Sequence, residues 1–394
     1  MTGQNKKPKI CIVTTMDSSM YVLYPGFFPL LAKRGFEVTG ICADGPWVEK
    51  IRKLELRLIT VPMARGFAPW SDLKGLWKLY RIFRRRRFDI VHYSTPKAAL
   101  LSAVAGRLAR CPALIYTLRG LGYEAFGGPA RAIGKFCEKI ACRLPDRIIT
   151  ISGSLKAHVA EENLVSKERI EVLGAGSSKG VDLDEFRRSE ERIANGRKIK
   201  QSLGINDDEL VIGCLGRMTE EKGVLELLSA FRSLRTTHPN VHLLLMGHKD
   251  QRKPFSPETS QLLSASPDTH VLDFHDNVPD YIAAMDILVL PSYREGFGNA
   301  LIEASAMRVP VVASDIPGCR DAVLPGMTGL LVKPRDAKEL EKALAELIEN
   351  PDRRAVMGQN GERWVRENFD RNMVWGRLIQ VYEQVLANSH ELQN

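Results

Sequence analysis

Short apolar runs rich in β-branched residues recur along the chain, and longer amphipathic stretches separate them. In the first half the runs fall at 10–15, 37–42, 58–61, 90–93, 113–117 and 147–151. In the second half they fall at 211–215, 242–246, 271–274, 287–290, 309–313 and 329–332. Few of these runs alternate polar with apolar positions, so each predicts a strand buried on both faces, as in a parallel sheet. The stretches between them carry helical periodicity, for example over 224–235 and 337–349. Two successive βα series predict an α/β protein built from two Rossmann-like domains.

Residues 174–182 (GAGSSKGVD) are rich in Gly and Ser and read as the linker between the two series. The stretch 353–392 is helical by period, with a break near 368–370 and no strand after it. A terminal helix of this length is expected to return to the first domain. The expected organisation is therefore a first domain of 1–180 with the returning helix 370–394, and a second of 181–369.

Length and composition agree with a globular protein: 394 residues, 44% hydrophobic and 26% charged. The most apolar long stretch, 98–116, is interrupted by Arg107 and Arg110, so no segment reads as a bilayer span. The basic N-terminus followed by a short apolar run is better explained by a first buried strand than by a signal peptide. Seven scattered cysteines without a CxxC read as free thiols in a reducing cytoplasm. Charge changes the picture more. Residues 1–180 hold 30 Lys and Arg against 14 Asp and Glu, a net of +16, whereas residues 181–394 hold 26 against 33, a net of −7. The two halves are built for different partners, or the first rests on an anionic surface.

Four segments carry candidate chemistry. The first, Gly216 to Gly223 (GRMTEEKG), follows a predicted strand and opens a predicted helix. Arg217 at the strand edge and Lys222 in the first helical turn offer a fork and a point charge to a diphosphate. The second, Pro291 to Ala306 (PSYREGFGNALIEASA), places Glu295 in a glycine loop and Glu303 in the helix that follows. One carboxylate can face the sugar end of a nucleotide donor and the other its ribose, while Gly296 and Gly298 let backbone N–H groups approach phosphate. The third, 14–26, lacks a glycine fingerprint, and Ser18 and Ser19 read best as helix caps. The fourth, 71–87, sets an apolar stripe (Leu73, Leu76, Trp77, Tyr80, Phe83) beside a basic one (Lys74, Lys78, Arg81, Arg85). The apolar stripe is expected to face the sheet. The basic stripe is either a solvated face or a patch for anionic lipid, where each cation contributes about 1 kcal/mol. The DxD of Asp182 and Asp184 stands just before a predicted helix and reads as a cap, and no His/Cys cluster suggests a metal. His92 is isolated and reads as structural; His248 and His275 follow strand ends.

As a set, GRMTEEKG, GVDLDEF and LPSYREGFGNALIEASAMRVPVVASDIPG resemble glycosyltransferase family 4, the retaining enzymes of the GT-B fold. TLRGLGYEAF and GAGSSKGVDLDEF narrow the resemblance to bacterial enzymes that build lipid-linked oligosaccharides. The resemblance covers the whole chain and implies two Rossmann-like domains facing across a cleft. It implies that Arg217 and Lys222 hold a donor diphosphate beside Gly216, that Glu303 binds the ribose, and that Glu295 touches the transferred sugar. Gly296, Phe297, Gly298 and Asn299 would shape that pocket, and backbone from Phe274 to Val278 would meet the base. It implies a UDP-sugar as substrate with no cofactor and no metal, and a polyprenyl-diphosphate-linked acceptor. A cytoplasmic enzyme peripheral to the inner face of the membrane follows, with no nucleic acid partner. One departure stands out: many relatives place a histidine near the reacting sugar, where this chain reads Thr117-Leu118-Arg119-Gly120, so Arg119 either replaces it or binds acceptor phosphate. A sugar-nucleotide epimerase of the same fold is disfavoured by the paired glutamates and the Arg–Lys pair. A noncatalytic basic protein leaves the second series unexplained.

Overall fold

The computed structural model describes residues 7–391, apart from 25, 55, 65, 249–253 and 267, with side chains up to 388. The first six residues, and Leu392 at the end of the expected terminal helix, lie outside the described residues. The first series forms seven strands: β1 (Lys9–Val13), β2 (Glu37–Cys42), β3 (Arg57–Thr60), β4 (Ile90–Ser94), β5 (Ala113–Leu118), β6 (Arg147–Thr150) and β7 (Ile170–Val172). They lie in the order β3-β2-β1-β4-β5-β6-β7, every neighbouring pair parallel. The second series forms β8 (Leu210–Leu215), β9 (Val241–Met246), β10 (Thr269–Leu272), β11 (Ile287–Leu290), β12 (Val311–Ser314) and β13 (Gly329–Val332), in the parallel order β10-β9-β8-β11-β12-β13. The continuous burial of β1, β4, β5, β9 and β11 explains their unbroken apolar sequence, since helices cover both faces.

The chain divides into two compact units, 1–179 with 374–394, and 180–373. The core of the first is completed from the far end of the sequence. The terminal helix Arg371–Glu391 sets Trp375, Leu378 and Tyr382 among Phe27, Phe28 and Leu31. The Trp375 ring stands 5.4 Å from that of Phe27, and a Cβ on Gly26 would come within 2.9 Å of it. Gly26 is therefore a packing glycine. The second core gathers Val224, Phe231, Leu243, Val289 and Leu344 between sheet and helices.

The break in the C-terminal helical stretch lies at Phe369–Asp370, between the helices Pro351–Asn368 and Arg371–Glu391. There Val181 N–H donates to Phe369 O at 2.7 Å and Arg371 N–H to Val181 O at 2.9 Å, so two distant stretches run side by side. Gly180 is left-handed (φ 60°), and a Cβ there would meet Phe369 O at 2.7 Å. Asp182 does not cap a helix as expected: residues 183–186 form a turn, and the next helix, Glu190–Ser202, is capped by Ser189. Asp182 Oδ1 accepts from Asp184 N–H and Glu185 N–H, and its Oδ2 pairs with Arg371 at 2.8 Å.

The helix Pro69–Arg86 corrects one expectation. Gly75, Leu79 and Phe83 are its buried positions, whereas Leu73 and Trp77 are exposed. The stripe expected to face the sheet is thus split between the core and solvent.

Candidate active site

In the second unit the strand order reverses between β8 and β11. In open parallel sheets the crevice at the carboxyl ends of such strands is where ligands bind. The loops leaving these two strands, 216–223 and 291–298, hold most of the residues singled out in the sequence. They are joined by Tyr293 N–H donating to Glu221 O at 2.9 Å. Gly223 (φ 69°) makes the junction possible, because a Cβ there would sit 2.0 Å from Pro291 O.

Lys222 closes a single tight turn, Glu220–Lys222, and left-handed Gly223 caps the helix Val224–Thr237. The lysine therefore precedes the helix and does not occupy its first turn. Its Nζ pairs with Glu295 Oε1, and Ser292 Oγ donates to the same oxygen at 2.9 Å. Both charged side chains are largely buried, at 18% and 14% exposure, so each depends on the other for compensation. Arg217 is exposed in the same loop, after Gly216, whose N–H donates to Met246 O.

After β11 the chain passes Gly296, Phe297 and Gly298 into the helix Asn299–Ala306. Gly298 at the N-cap has no side chain, and the helix it opens points the positive end of its dipole at this loop. Glu303 is buried at 9% exposure, between Ile302 and Ala304 in the same helix. Phe297 points elsewhere than expected: it is buried with its ring 5.5 Å from Phe369, leaving its backbone as what it offers a ligand. Phe274 lies two residues beyond β10, exposed, with its ring 5.2 Å from that of His248, and Val278 opens the helix Val278–Ala283. His275 stacks on Tyr281 at 4.9 Å.

In the first unit the order reverses between β1 and β4. Thr95, directly after β4, adopts φ 74° and ψ 140°, a backbone region that a β-branched residue enters only under strain. Its hydroxyl accepts from Thr15 N–H at 2.9 Å and lies 2.8 Å from Thr15 Oγ1, which accepts from Ala98 N–H at 3.0 Å. Ser18 and Ser19 are not caps. They lie inside the helix Asp17–Leu23, and buried Asp17 accepts from the N–H groups of Ser18 and Trp47.

Arg119 follows β5, and one terminal nitrogen donates to Tyr24 OH at 2.8 Å. Its Nε and other terminal nitrogen are buried and without a hydrogen-bond partner. Arg119 lines a small pocket together with Thr117, Ser177, Ser178 and Leu378. His92 is structural: Nδ1 lies 2.5 Å from Tyr382 OH and Nε2 2.7 Å from Thr117 Oγ1. Burial, and then the Arg119 charge, lower its pKa to about 3 and keep the ring neutral. Arg119 thus sits in the first unit, while the remaining sequence-derived site residues sit in the second.

Comparison with known proteins agrees with this architecture. The family model described as Glycosyltransferase Family 4 matches residues 29–184, and that described as Glycosyl transferases group 1 matches residues 195–364. The capsular polysaccharide biosynthesis glycosyltransferase CapM of Staphylococcus aureus is 31% identical over 98% of this chain and 99% of its own. The chain belongs to glycosyltransferase family 4. This glycosyltransferase is also 24% identical, over 96% of its length and all of the relative's, to a Campylobacter jejuni enzyme. That relative is named N,N'-diacetylbacillosaminyl-diphospho-undecaprenol alpha-1,3-N-acetylgalactosaminyltransferase. Among solved structures it shares its fold with a Rickettsia africae glycosyltransferase (TM-score 0.80, 21% identity, 97% and 100% coverage). It likewise shares the fold of Anabaena HepE, solved with UDP and glucose (TM-score 0.80, 21% identity, 96% and 100% coverage).

Several site features of the glycosyltransferase escaped the sequence reading. Ser292 was invisible because a serine beside a proline has many roles. Tyr293 donates to Glu226 at 2.7 Å while Arg335 lies 4.2 Å over its ring, a pairing that spans three segments. Thr95 carried one signal, its place before a proline at a strand end, but nothing in that dipeptide announces a positive φ.

Proposed function

We propose that the enzyme transfers an N-acetylhexosamine from a UDP-sugar to a polyprenyl-diphosphate-linked saccharide during assembly of a bacterial surface glycan: O-antigen, capsule or glycoprotein. The observation that carries this reading is the cluster at the β8–β11 crevice. There the Lys222–Glu295 pair, exposed Arg217 and a glycine-lined helix N-terminus gather in the loops that leave the two strands. Arg217, Lys222 and the helix dipole suit a diphosphate, and buried Glu303 suits ribose hydroxyls. The names of the Staphylococcus and Campylobacter relatives support the glycan and the lipid carrier.

In this reading the acceptor hydroxyl oxygen attacks the anomeric carbon on the face the UDP leaves. The bond from that carbon to the diphosphate oxygen breaks, and the hydroxyl proton passes to the departing phosphate. The sugar keeps its configuration, and no enzyme nucleophile takes part. The chain's own contribution is preorganised positive charge where the leaving group gains negative charge. Lys222 already pairs with Glu295, so an arriving diphosphate draws the ammonium toward itself and frees the carboxylate to accept from sugar hydroxyls. No metal is required in this account, because the cations and dipole serve the diphosphate. Arg119, with two buried nitrogens that lack a hydrogen-bond partner, would meet the acceptor phosphate in the first unit.

A thermal-shift screen of uridine, guanosine and adenosine diphosphate sugars, with magnesium or with chelator, tests the proposal. Native-state binding must raise the melting temperature. A shift selective for a UDP-N-acetylhexosamine and indifferent to chelator is expected. A shift with none of them, or one that needs magnesium, overturns the donor assignment.

A further inference from the structure

Beside the basic residues of the first unit, the helix Pro69–Arg86 turns large apolar side chains to solvent. Trp70 is 80% exposed, Leu73 59% and Trp77 58%, and Phe67 just before the helix is 83% exposed. A second helix, Gly128–Arg143, exposes Ile133 and Phe136. Both helices pack against the same third helix, Pro96–Leu108. Lys97 of that helix fixes the start of the first: its Nζ donates to the Asp72 carboxylate at 2.7 Å and to Gly66 O. At the other end of the third helix, Arg107 Nε donates at 2.7 Å to Leu144 O, just past the second helix, so Ile133 and Phe136 lie about two to three turns back toward Lys97. The apolar side chains of the two helices therefore share one end of one layer.

Exposed apolar residues scattered singly need no explanation, but a cluster of this size on one surface does. The charges around it tell what covers it. Residues 67–87 hold seven Lys and Arg and one acidic residue, Asp72, which Lys97 neutralises. Lys74, Lys78, Arg81 and Arg84 to Arg87 are all exposed, and Arg81 lies 4.6 Å over the Trp77 ring. Aromatic rings that stand clear of the protein beside cations fit the lipid–water interface, where rings enter the headgroup layer and cations meet anionic headgroups. A second protein copy would have to bury these like charges against each other, which disfavours it as the occupant.

We propose that this face is a bilayer-docking surface, with Phe67, Trp70, Leu73, Trp77, Ile133 and Phe136 inserting into the headgroup region of an anionic membrane. The proposal rests on the reading that the acceptor is carried by a lipid, and adds how the enzyme reaches it. It differs from attraction by the basic stripe alone, because inserted rings hold when salt screens the charges.

The test is flotation of the full chain with phosphatidylcholine vesicles, with and without phosphatidylglycerol, at low and high salt. Brominated lipid reports ring insertion by quenching tryptophan. Trp70 and Trp77 are the exposed tryptophans, Trp47 and Trp364 being half-buried and Trp375 buried. Binding to anionic vesicles that partly survives high salt, with quenching, is expected. The double variant Trp70→Ser and Trp77→Ser should lower the binding constant by about tenfold or more and abolish quenching. The same variant should keep its UDP-sugar thermal shift, which separates a failed docking surface from a failed donor site. Three results overturn the proposal. One is no vesicle binding by the parent chain. Another is binding that salt abolishes and the tryptophan change leaves alone, or that RNA fully displaces. The third is a dimer in solution that the double variant converts to monomer, which gives the face to a second copy.

Discussion

Glu138 offers a stringent test of the first unit, because its protonation and the fold's stability are linked with a calculable sign. It lies in the helix Gly128–Arg143 at 4% exposure, with Tyr116 OH donating to Oε1 at 2.5 Å. Burial raises its pKa from the ordinary 4.5 to about 7, and the tyrosine bond, which favours the ionised form, only partly opposes this. Below pH 4.5 the carboxyl is protonated whether the chain is folded or not. As pH rises from 4.5 toward 7 the unfolded chain releases this proton and the folded chain retains it, so stability falls. Above about 7 the loss is complete, and at about 1.4 kcal/mol per pH unit it amounts to about 3 kcal/mol. Glu138→Gln keeps an oxygen for Tyr116 and removes the titration. Melting followed by circular dichroism at pH 5 and pH 8 should show the variant close to the parent at pH 5. At pH 8 it should be more stable by several degrees, at roughly 2–4 °C per kcal/mol for a unit of this size. A variant equally displaced at both pH values refutes the reasoning, since the carboxyl would then ionise without penalty in the folded chain.

The proposed donor site and the fold yield four more tests. Glu303→Ala should weaken UDP-sugar binding by about 1.5–3 kcal/mol, the worth of a charged hydrogen bond, as titration calorimetry would report. Lys222→Met should lower kcat by about 100-fold or more while UDP affinity changes less, because the charge acts chiefly on the leaving diphosphate; equal losses in both would place the lysine in ground-state binding. Gly223→Ala forces a Cβ to 2.0 Å from Pro291 O at a left-handed position and should destabilise the second unit, seen as its earlier melting and reduced donor shift. Trp375→Ala should remove about 3–5 kcal/mol from the first unit, and hydrogen exchange should show the loss in β1, β4 and β5 while β8 to β12 stay protected.

Twelve of the strands were legible as short apolar runs, and β1, β4, β5, β9 and β11 most clearly, because strands covered on both faces are apolar throughout. The thirteenth, β7 (Ile170–Val172), has a central Glu171 and only three residues, so its place at the sheet edge came from packing and not from its own sequence. The crevice at β8 and β11 was equally legible, since glycines and charges follow those strands directly. Lys222 was misplaced by a few residues because the left-handed geometry of Gly223 separates turn from helix, and a glycine in sequence does not declare its φ. The helix Pro69–Arg86 misled for another reason. Periodicity shows that apolar residues share a stripe, but not that the sheet reaches only part of it. Leu79 and Phe83 were buried, and Leu73 and Trp77 were left outside.

The terminal helix has a consequence for the order in which the molecule is made. Residues 374–388 supply Trp375, Leu378 and Tyr382 to a core whose other members lie before residue 174. During synthesis the second unit, contiguous from 180 to 373, has its whole sequence available before the first unit has all of its own. The earlier-born half must wait with Phe27, Phe28 and Leu31 uncovered while the later-born half folds, and it closes only when the last helix emerges. A chain released before residue 374 would therefore carry a complete second unit and an unfinished first, a species that chaperones would hold and proteases would cut within the first 180 residues.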